Sequence, residues 1–185
     1  MRILLHACCG PCATYPIEQL LLKKYEVTCY FFNPNIHGYQ EYVKRYEALK
    51  AVCDNYNVKL SGFGEYNLFE WFSSVLKNID DRCLSCYTHR IEATVKKAGE
   101  LNISNFTTTL LISHKQDHEK IRAVCESSSE NSGVRFFYED FRKGWKEHWL
   151  ITGKLNIYKQ QYCGCLFSEK ERFEKKSCHG SADIL

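Results

Sequence analysis

Short β-branched and aromatic runs alternate along this chain with stretches of helical period, and that alternation leaves few folds open. Residues 2–7, Val27–Phe32, Val58–Phe63, Phe106–Ile112 and Val134–Tyr138 read as strands. Tyr15–Tyr25, Glu41–Tyr56, Leu68–Leu76, Cys83–Ala98 and Asp117–Cys125 read as helices between them. Within Glu41–Tyr56, for example, Tyr42, Tyr46, Leu49, Cys53 and Tyr56 recur at helical spacing. Gly99 is the expected stop of one helix, and Ser127–Gly133 reads as a loop. Strands separated by helices favour crossover connections over hairpins. The predicted fold class is therefore α/β, a three-layer sandwich with a mostly parallel sheet. At 185 residues a single domain spanning 1–185 is expected, with 141–172 as a basic, aromatic helical extension and 173–185 as a flexible tail.

Ligands of such sheets bind beyond the carboxyl ends of the strands. The ends of strands one, two and four carry Cys8–Cys12, Asn33–Asn35 and Ser113–Gln116, so three candidate site segments converge on one edge by topology alone. Seven of the eleven cysteines fall in three tight groups: Cys8, Cys9 and Cys12; Cys83 and Cys86; Cys163 and Cys165. The first group occupies a strand-to-helix turn, where the N–H groups of a helix start favour thiolates or an anionic cluster. Cys83 and Cys86 lie one turn apart with Tyr87 and Arg90 extending their face, while Leu84, Ile91, Val95 and Ala98 form a packing face. Four thiolates make either an iron–sulfur cubane or a structural zinc site, and seven clustered thiols exceed what a closed zinc site needs. Cys29, Cys53 and Cys125 lie on apolar stripes and read as core. Cys178 reads as incidental.

The apolar stretch before Cys8 is too short for a signal peptide, and no run is long and apolar enough to span a membrane. The expected location is cytoplasmic, where thiols stay reduced, so metal or catalytic roles gain weight over structural disulfides. Net charge is only +3, yet residues 141–162 set Arg142, Lys143, Lys146, Lys154 and Lys159 against the single acid Glu147. Phe141, Trp145, Trp149, Tyr158 and Tyr162 interleave with them. Cations that pair with phosphates and rings that stack on bases are a nucleic-acid pattern; an ordinary amphipathic surface is the plainer reading.

Cys9-Gly10-Pro11-Cys12 shares its letters with the thioredoxin active site. Thioredoxins, however, place a strand and helix before the motif and a later cis-proline beside the thiols, whereas here the prolines are 11, 16 and 34. The opening also resembles ATP-pyrophosphatases of tRNA thiolation, whose fold is of the HUP, or adenine-nucleotide-hydrolase, kind. Cysteines replace their phosphate-cradling Ser-Gly-Gly-x-Asp-Ser loop, which favours the shared fold without the nucleotide chemistry.

Six segments in order carry a closer resemblance. They are Leu4-Leu5-His6-Ala7-Cys8-Cys9-Gly10-Pro11-Cys12, Tyr30-Phe31-Phe32-Asn33-Pro34-Asn35-Ile36 and Arg82-Cys83-Leu84-Ser85-Cys86-Tyr87 with Arg90. Phe106-Thr107-Thr108-Thr109-Leu110-Leu111, Asp140-Phe141-Arg142-Lys143-Gly144 and Tyr158-Lys159-Gln160-Gln161-Tyr162-Cys163-Gly164-Cys165 follow. Together they resemble the cobalamin-independent epoxyqueuosine reductases, the QueH family, over residues 2 to about 172. Gly10 stands where that family's pattern commonly has alanine.

The resemblance implies an oxidoreductase that removes the epoxide oxygen of epoxyqueuosine at the tRNA wobble position to give queuosine. It implies a [4Fe–4S] cluster on Cys8, Cys9, Cys83 and Cys86, with Cys12 able to replace Cys8 or Cys9 as a ligand. Cys12, Cys163 and Cys165 remain for a second, mononuclear iron or as redox-active thiols. Tyr87 and His118 are candidate proton donors, and Asn33, Asn35, Arg90, Thr108, Arg142 and Lys143 are candidate substrate contacts. The expected partners are epoxyqueuosine-bearing tRNA and an electron donor, without cobalamin or membrane. The competing readings are a thioredoxin-like thiol–disulfide oxidoreductase and a zinc-binding nucleic-acid module.

Overall fold

Parallel strands in the order β3-β2-β1-β4-β5 make a five-stranded sheet in the computed structural model, which describes residues 1–64 and 66–177. The strands are β1 (Arg2–His6), β2 (Glu26–Tyr30), β3 (Lys59–Ser61), β4 (Asn105–Thr108) and β5 (Arg135–Phe136). The helices are α1 (Gly10–Leu22), α2 (Tyr39–Tyr56), α3 (Leu68–Val75), α4 (Arg82–Glu100), α5 (His118–Ser129), α6 (Trp145–Lys154) and α7 (Leu166–Ser177). The chain steps outward from β1 to β3, then returns to the other side of β1 for β4 and β5. The crossover direction therefore reverses between β1 and β4, and the carboxyl ends of these two strands flank the crevice that such a reversal opens.

Side-chain alternation on β1 divides the interior in two. Ile3 and Leu5 pack with Ile17 and Leu20 of α1, Val27 and Cys29 of β2, and Leu49, Val52 and Cys53 of α2. Leu4 points the other way, to Phe106 of β4, Ile91 and Val95 of α4, and Ile121, Val124 and Cys125 of α5. Cys29, Cys53 and Cys125 are thus core residues, as their stripes predict. The register pairs His6 with Tyr30 on one side and with Thr108 on the other, so three strand ends finish level at the crevice.

Several boundaries differ from those read off periodicity. Helix α1 starts at Gly10 rather than Tyr15 because its first turn is built from Pro11 and Cys12, which carry no apolar period. Pro16, inside the helix, lacks the N–H that would bond the Cys12 carbonyl. The run Phe106–Ile112 is strand only to Thr108. There the Thr108 side chain accepts from Leu110 N and turns the chain into a 3₁₀ helix, Thr109–Ile112. Gly62, at φ +93°, ends β3 before Phe63. The last strand, at the sheet edge, is confined to Arg135–Phe136. Helix α4 continues past Gly99 to Glu100, and Asn102 turns left-handed just beyond it. Helix α5 runs on to Ser129, through part of the segment read as loop.

Residues 173–177, read as tail, continue helix α7. Phe173 meets the Tyr162 ring edge-on, and a Lys170–Glu174 pair spans one helical turn. Residues 178–185, with Cys178, lie outside the described residues. In the extension, α6 packs on α1, and Phe167 of α7 reaches Trp71 of α3. Among the described residues no helix is long and apolar enough to cross a membrane.

Candidate active site at the carboxyl ends of the strands

His6, the last residue of β1, is fully buried between two neighbours. Its Nδ1 is 2.9 Å from Thr108 Oγ1 and its Nε2 is 3.1 Å from the Phe32 carbonyl. The carbonyl can only accept, so Nε2 carries the proton and Nδ1 accepts from the threonine hydroxyl. Burial, then the Arg90 guanidinium, pushes the imidazolium pKa down to about 3, so the ring stays neutral. This one residue ties the ends of β1, β2 and β4 together immediately before the cysteines.

Cys8, Cys9 and Cys12 place their sulfurs within 4.8 Å of one another, all buried. The peptide N–H of Cys8 donates to Thr109 Oγ1 at 3.1 Å, and that hydroxyl donates to Cys8 Sγ at 3.4 Å. Cys8 and Cys9 sulfurs are 3.6 Å apart, and Gln160 Nε2 donates to Cys12 Sγ at 3.4 Å. Hydrogen bonds from Cys12 and Cys9 hold the Cys8 thiol well below its ordinary pKa, with help from Arg90 and Thr109. Burial pushes Cys9 up, and the bond to Cys8 pushes Cys12 up. The three thiols titrate as one coupled group.

Two buried guanidinium groups face these thiols. Arg90 of α4 is 1% exposed, donates from Nη2 to Asn33 Oδ1 at 2.7 Å, and keeps Nε and Nη1 without a hydrogen-bond partner among the described residues. Its charge is felt by Cys8, Cys86 and Cys163, which gathers thiols from three sequence clusters around one cation. Arg45 of α2 is equally buried, and its charge acts on Cys9 and Cys163. Asn33 fixes Arg90 by donating from Nδ2 to the Ala7 carbonyl at 2.9 Å.

On α4, Cys86 lies outside the group of three close sulfurs and is buried with Trp71 and Val75, and Cys165 and Phe167 pack against those residues. Cys83 is exposed on the same helix. Cys163 reaches solvent although protein crowds its thiol, and desolvation raises its pKa to about 12 against the pull of Arg90. Tyr87, on the Cys83 face, is buried, and its phenol is pushed up by burial and then by Cys83 and Cys163. The phenol therefore stays protonated beside the thiols.

The other expected site residues fall into different surroundings. Thr108 is committed to His6 and Leu110. Asn35 is buried against Gly164, with Oδ1 unpartnered among the described residues. His118 is buried at the start of α5, faces the Tyr138 hydroxyl at 3.2 Å, and is lowered by burial and then Arg142. Arg142 makes a two-point ion pair with Asp140 (2.8 and 2.7 Å), while Lys143 is exposed. Of the aromatics between 141 and 162, Phe141 is core, Tyr158 donates to Glu41, and Tyr162 lies under Arg45. Those three rings are spent on packing, whereas Lys143, Lys146, Lys154 and Lys159 all face solvent.

Residues 3–171 match the family model described as epoxyqueuosine reductase QueH. The chain belongs to this family. Relatives named epoxyqueuosine reductase QueH include one from Dehalococcoides mccartyi, 36% identical over 94% of this chain and 96% of its own length. Another, from Thermotoga maritima, is 33% identical, covering 94% of this chain and 93% of its own. The chain is accordingly an enzyme, an oxidoreductase. A predicted subunit of a tRNA methyltransferase from Methanocaldococcus jannaschii superposes with a TM-score of 0.58 at 8% identity, over 96% of this chain and 88% of that one, a likeness of fold.

Sequence reasoning gave no role to His6, Arg45, Thr109 or Gln160. Arg45 had a signal: it falls on the apolar side of α2, near Tyr42 and Leu49, where an arginine is out of place. Gly10 also acquires a reason. A Cβ there would sit 2.5 Å from the Ala48 carbonyl oxygen, so α1 and α2 approach too closely for alanine.

Proposed function

We propose that this enzyme acts on tRNA bearing epoxyqueuosine at the wobble position, removing the epoxide oxygen to leave the cyclopentene of queuosine. The reaction takes two electrons and two protons; both C–O bonds of the epoxide break, a C=C bond forms, and the oxygen leaves as water. An external electron donor supplies the electrons, and the chemistry calls for no cobalamin.

The observation that carries this reading is the buried thiol triad at the strand reversal, faced by two buried arginines. Soft sulfur donors in a desolvated, cation-lined crevice suit an anionic iron–sulfur cluster. Cys8, Cys9, Cys83 and Cys86 would hold one [4Fe–4S] cluster, which when bound relays electrons singly. Cys12, Cys163 and Cys165 remain for a mononuclear iron or for direct thiol work on the substrate. Tyr87 holds a proton at its hydroxyl beside Cys83 and Cys163 and suits donation to the departing oxygen. The unpartnered Nη1 of Arg90 suits the negative charge that develops there. Exposed Lys143, Lys146, Lys154 and Lys159 offer phosphate contacts to the tRNA. Family membership and the all-parallel sheet weigh against the thioredoxin-like alternative, and the surplus of clustered thiols weighs against a closed zinc site.

The test is anaerobic iron and sulfide analysis combined with an assay on epoxyqueuosine-containing tRNA. Cys83→Ser and Cys86→Ser should sharply reduce bound iron and sulfide; full occupancy in either would sink the ligand assignment. Cys163→Ser and Cys165→Ser should leave the cubane's absorption near 400 nm largely intact while turnover drops ~100-fold or more. Normal turnover in both would make that pair structural.

A further inference from the structure

The Cys163–Gly164–Cys165 loop is held by its backbone. The Tyr162 and Cys163 carbonyls accept from Arg45 Nη2 (3.1 Å) and Nη1 (2.7 Å). The Gly164 carbonyl accepts from His37 N at 2.9 Å, and the Cys165 carbonyl accepts from Ser168 Oγ at 2.8 Å. Every carbonyl from Tyr162 to Cys165 therefore has a donor outside the loop. His37 grips twice, since its Nδ1 also accepts from Leu166 N at 3.1 Å. Gly164 adopts φ +141°, and a Cβ there would lie within 3.1–3.3 Å of Asn35, Ile36 and Arg45, so the loop is seated directly on α2 and the β2–α2 connection.

Arg45 is the centre of this arrangement. It is 1% exposed on the apolar side of α2, a position that an aliphatic residue would fill more cheaply. Its charge is paired with Glu41, Nε to Oε1 at 2.7 Å, and Glu41 is held in turn by the Tyr158 hydroxyl at 2.6 Å. The guanidinium lies over the Tyr162 ring, 5.2 Å from its centroid. Glu41 and Tyr158 thus aim the two remaining donor groups of Arg45 at adjacent carbonyls far along the chain. Arg45 also acts on Cys9 of the triad through its charge.

We propose that Arg45 is the positioning residue of the Cys163–Gly164–Cys165 dithiol: it fixes the loop through two backbone carbonyls so that the Cys163 thiol stands before Arg90 and Cys86. The kinetic part rests on Cys163 and Cys165 being working thiols, as proposed above; the clamp itself does not. Arg45 acts through the loop and touches no reacting atom.

The experiment uses the anaerobically purified, iron-loaded enzyme. Arg45→Lys keeps the charge but cannot reach Glu41 and two carbonyls at once. Tyr158→Phe is the milder variant, loosening Glu41, and replaces Arg45→Lys if that protein does not fold. Cubane absorption near 400 nm, kcat and KM on epoxyqueuosine tRNA, and site-resolved iodoacetamide labelling by mass spectrometry are measured, with buried Cys29 and Cys53 as internal references. Expected for Arg45→Lys is an unchanged cubane absorption near 400 nm, kcat lowered about 30-fold or more at nearly constant KM, and Cys163 labelled about tenfold faster. Tyr158→Phe should shift both readouts in the same direction by about threefold or more. Wild-type labelling and kcat in a folded variant would overturn the proposal, and so would loss of the cubane absorption or faster labelling at Cys29 and Cys53, which mark a general structural role. If Cys163→Ser retains full turnover while Arg45→Lys still frees the loop to labelling, the working-thiol reading fails and the clamp stands.

Discussion

Asn33→Ala removes two buried hydrogen bonds at the base of the thiol crevice, one to the Ala7 carbonyl at 2.9 Å and one from the Arg90 guanidinium at 2.7 Å. The first is a neutral bond, worth about 1 kcal/mol net; the second involves a charge and is worth roughly 1.5–3 kcal/mol. Together the two losses make the expected destabilisation about 3 kcal/mol. For a chain of this size that corresponds to roughly 6–12 °C in melting temperature. Asn105→Ala is the matched control, deleting the same atoms from a buried asparagine that bonds the Arg2 carbonyl at 3.1 Å, and should cost only about 1 kcal/mol. Both variants are compared with the parent by anaerobic thermal unfolding. Both variants delete the same side-chain atoms, so an excess loss in Asn33→Ala reports the Arg90 bond. An Asn33→Ala melting temperature no lower than that of Asn105→Ala would refute the reasoning, since Arg90 would then not depend on Asn33. Turnover should fall with it, because Arg90 loses the Asn33 bond that helps orient it among Cys8, Cys86 and Cys163.

Gly10→Ala should destabilise the protein by about 1–3 kcal/mol, since the new Cβ meets a backbone oxygen at 2.5 Å that no side-chain rotation relieves; urea unfolding checks it, and an unchanged midpoint would mean that α1 and α2 separate freely. Lys143→Gln should lower the salt slope of tRNA binding by roughly one log–log unit, and Arg142→Gln by less, because Asp140 already neutralises Arg142. Equal effects in filter binding at graded salt would show that the Asp140–Arg142 pair opens on the tRNA.

The alternation of strand and helix, the parallel sheet and the placement of Cys8–Cys12 at the first strand end were legible in the sequence because they depend on local signals: side-chain period, turn residues and chain order. The order of the six motifs carried the family with them. Element ends were less legible. Helix α1 begins at a proline and cysteines without apolar period, and β4 stops where the Thr108 side chain captures a neighbouring N–H, an event that residue type alone does not announce.

The tertiary structure alone decided how the site is held. His6 meets Thr108, Arg90 meets Asn33, Gln160 meets Cys12 and Arg45 meets the Cys163 loop across separations in sequence of 102, 57, 148 and 118 residues. It also decided that Phe141, Tyr158 and Tyr162 are packed inward while the lysines among them remain outside. Periodicity tells which face of an element is buried but not what lies opposite. A buried arginine or histidine acquires its role only when the packed elements bring a carbonyl, a carboxylate or a thiol within hydrogen-bonding distance of it.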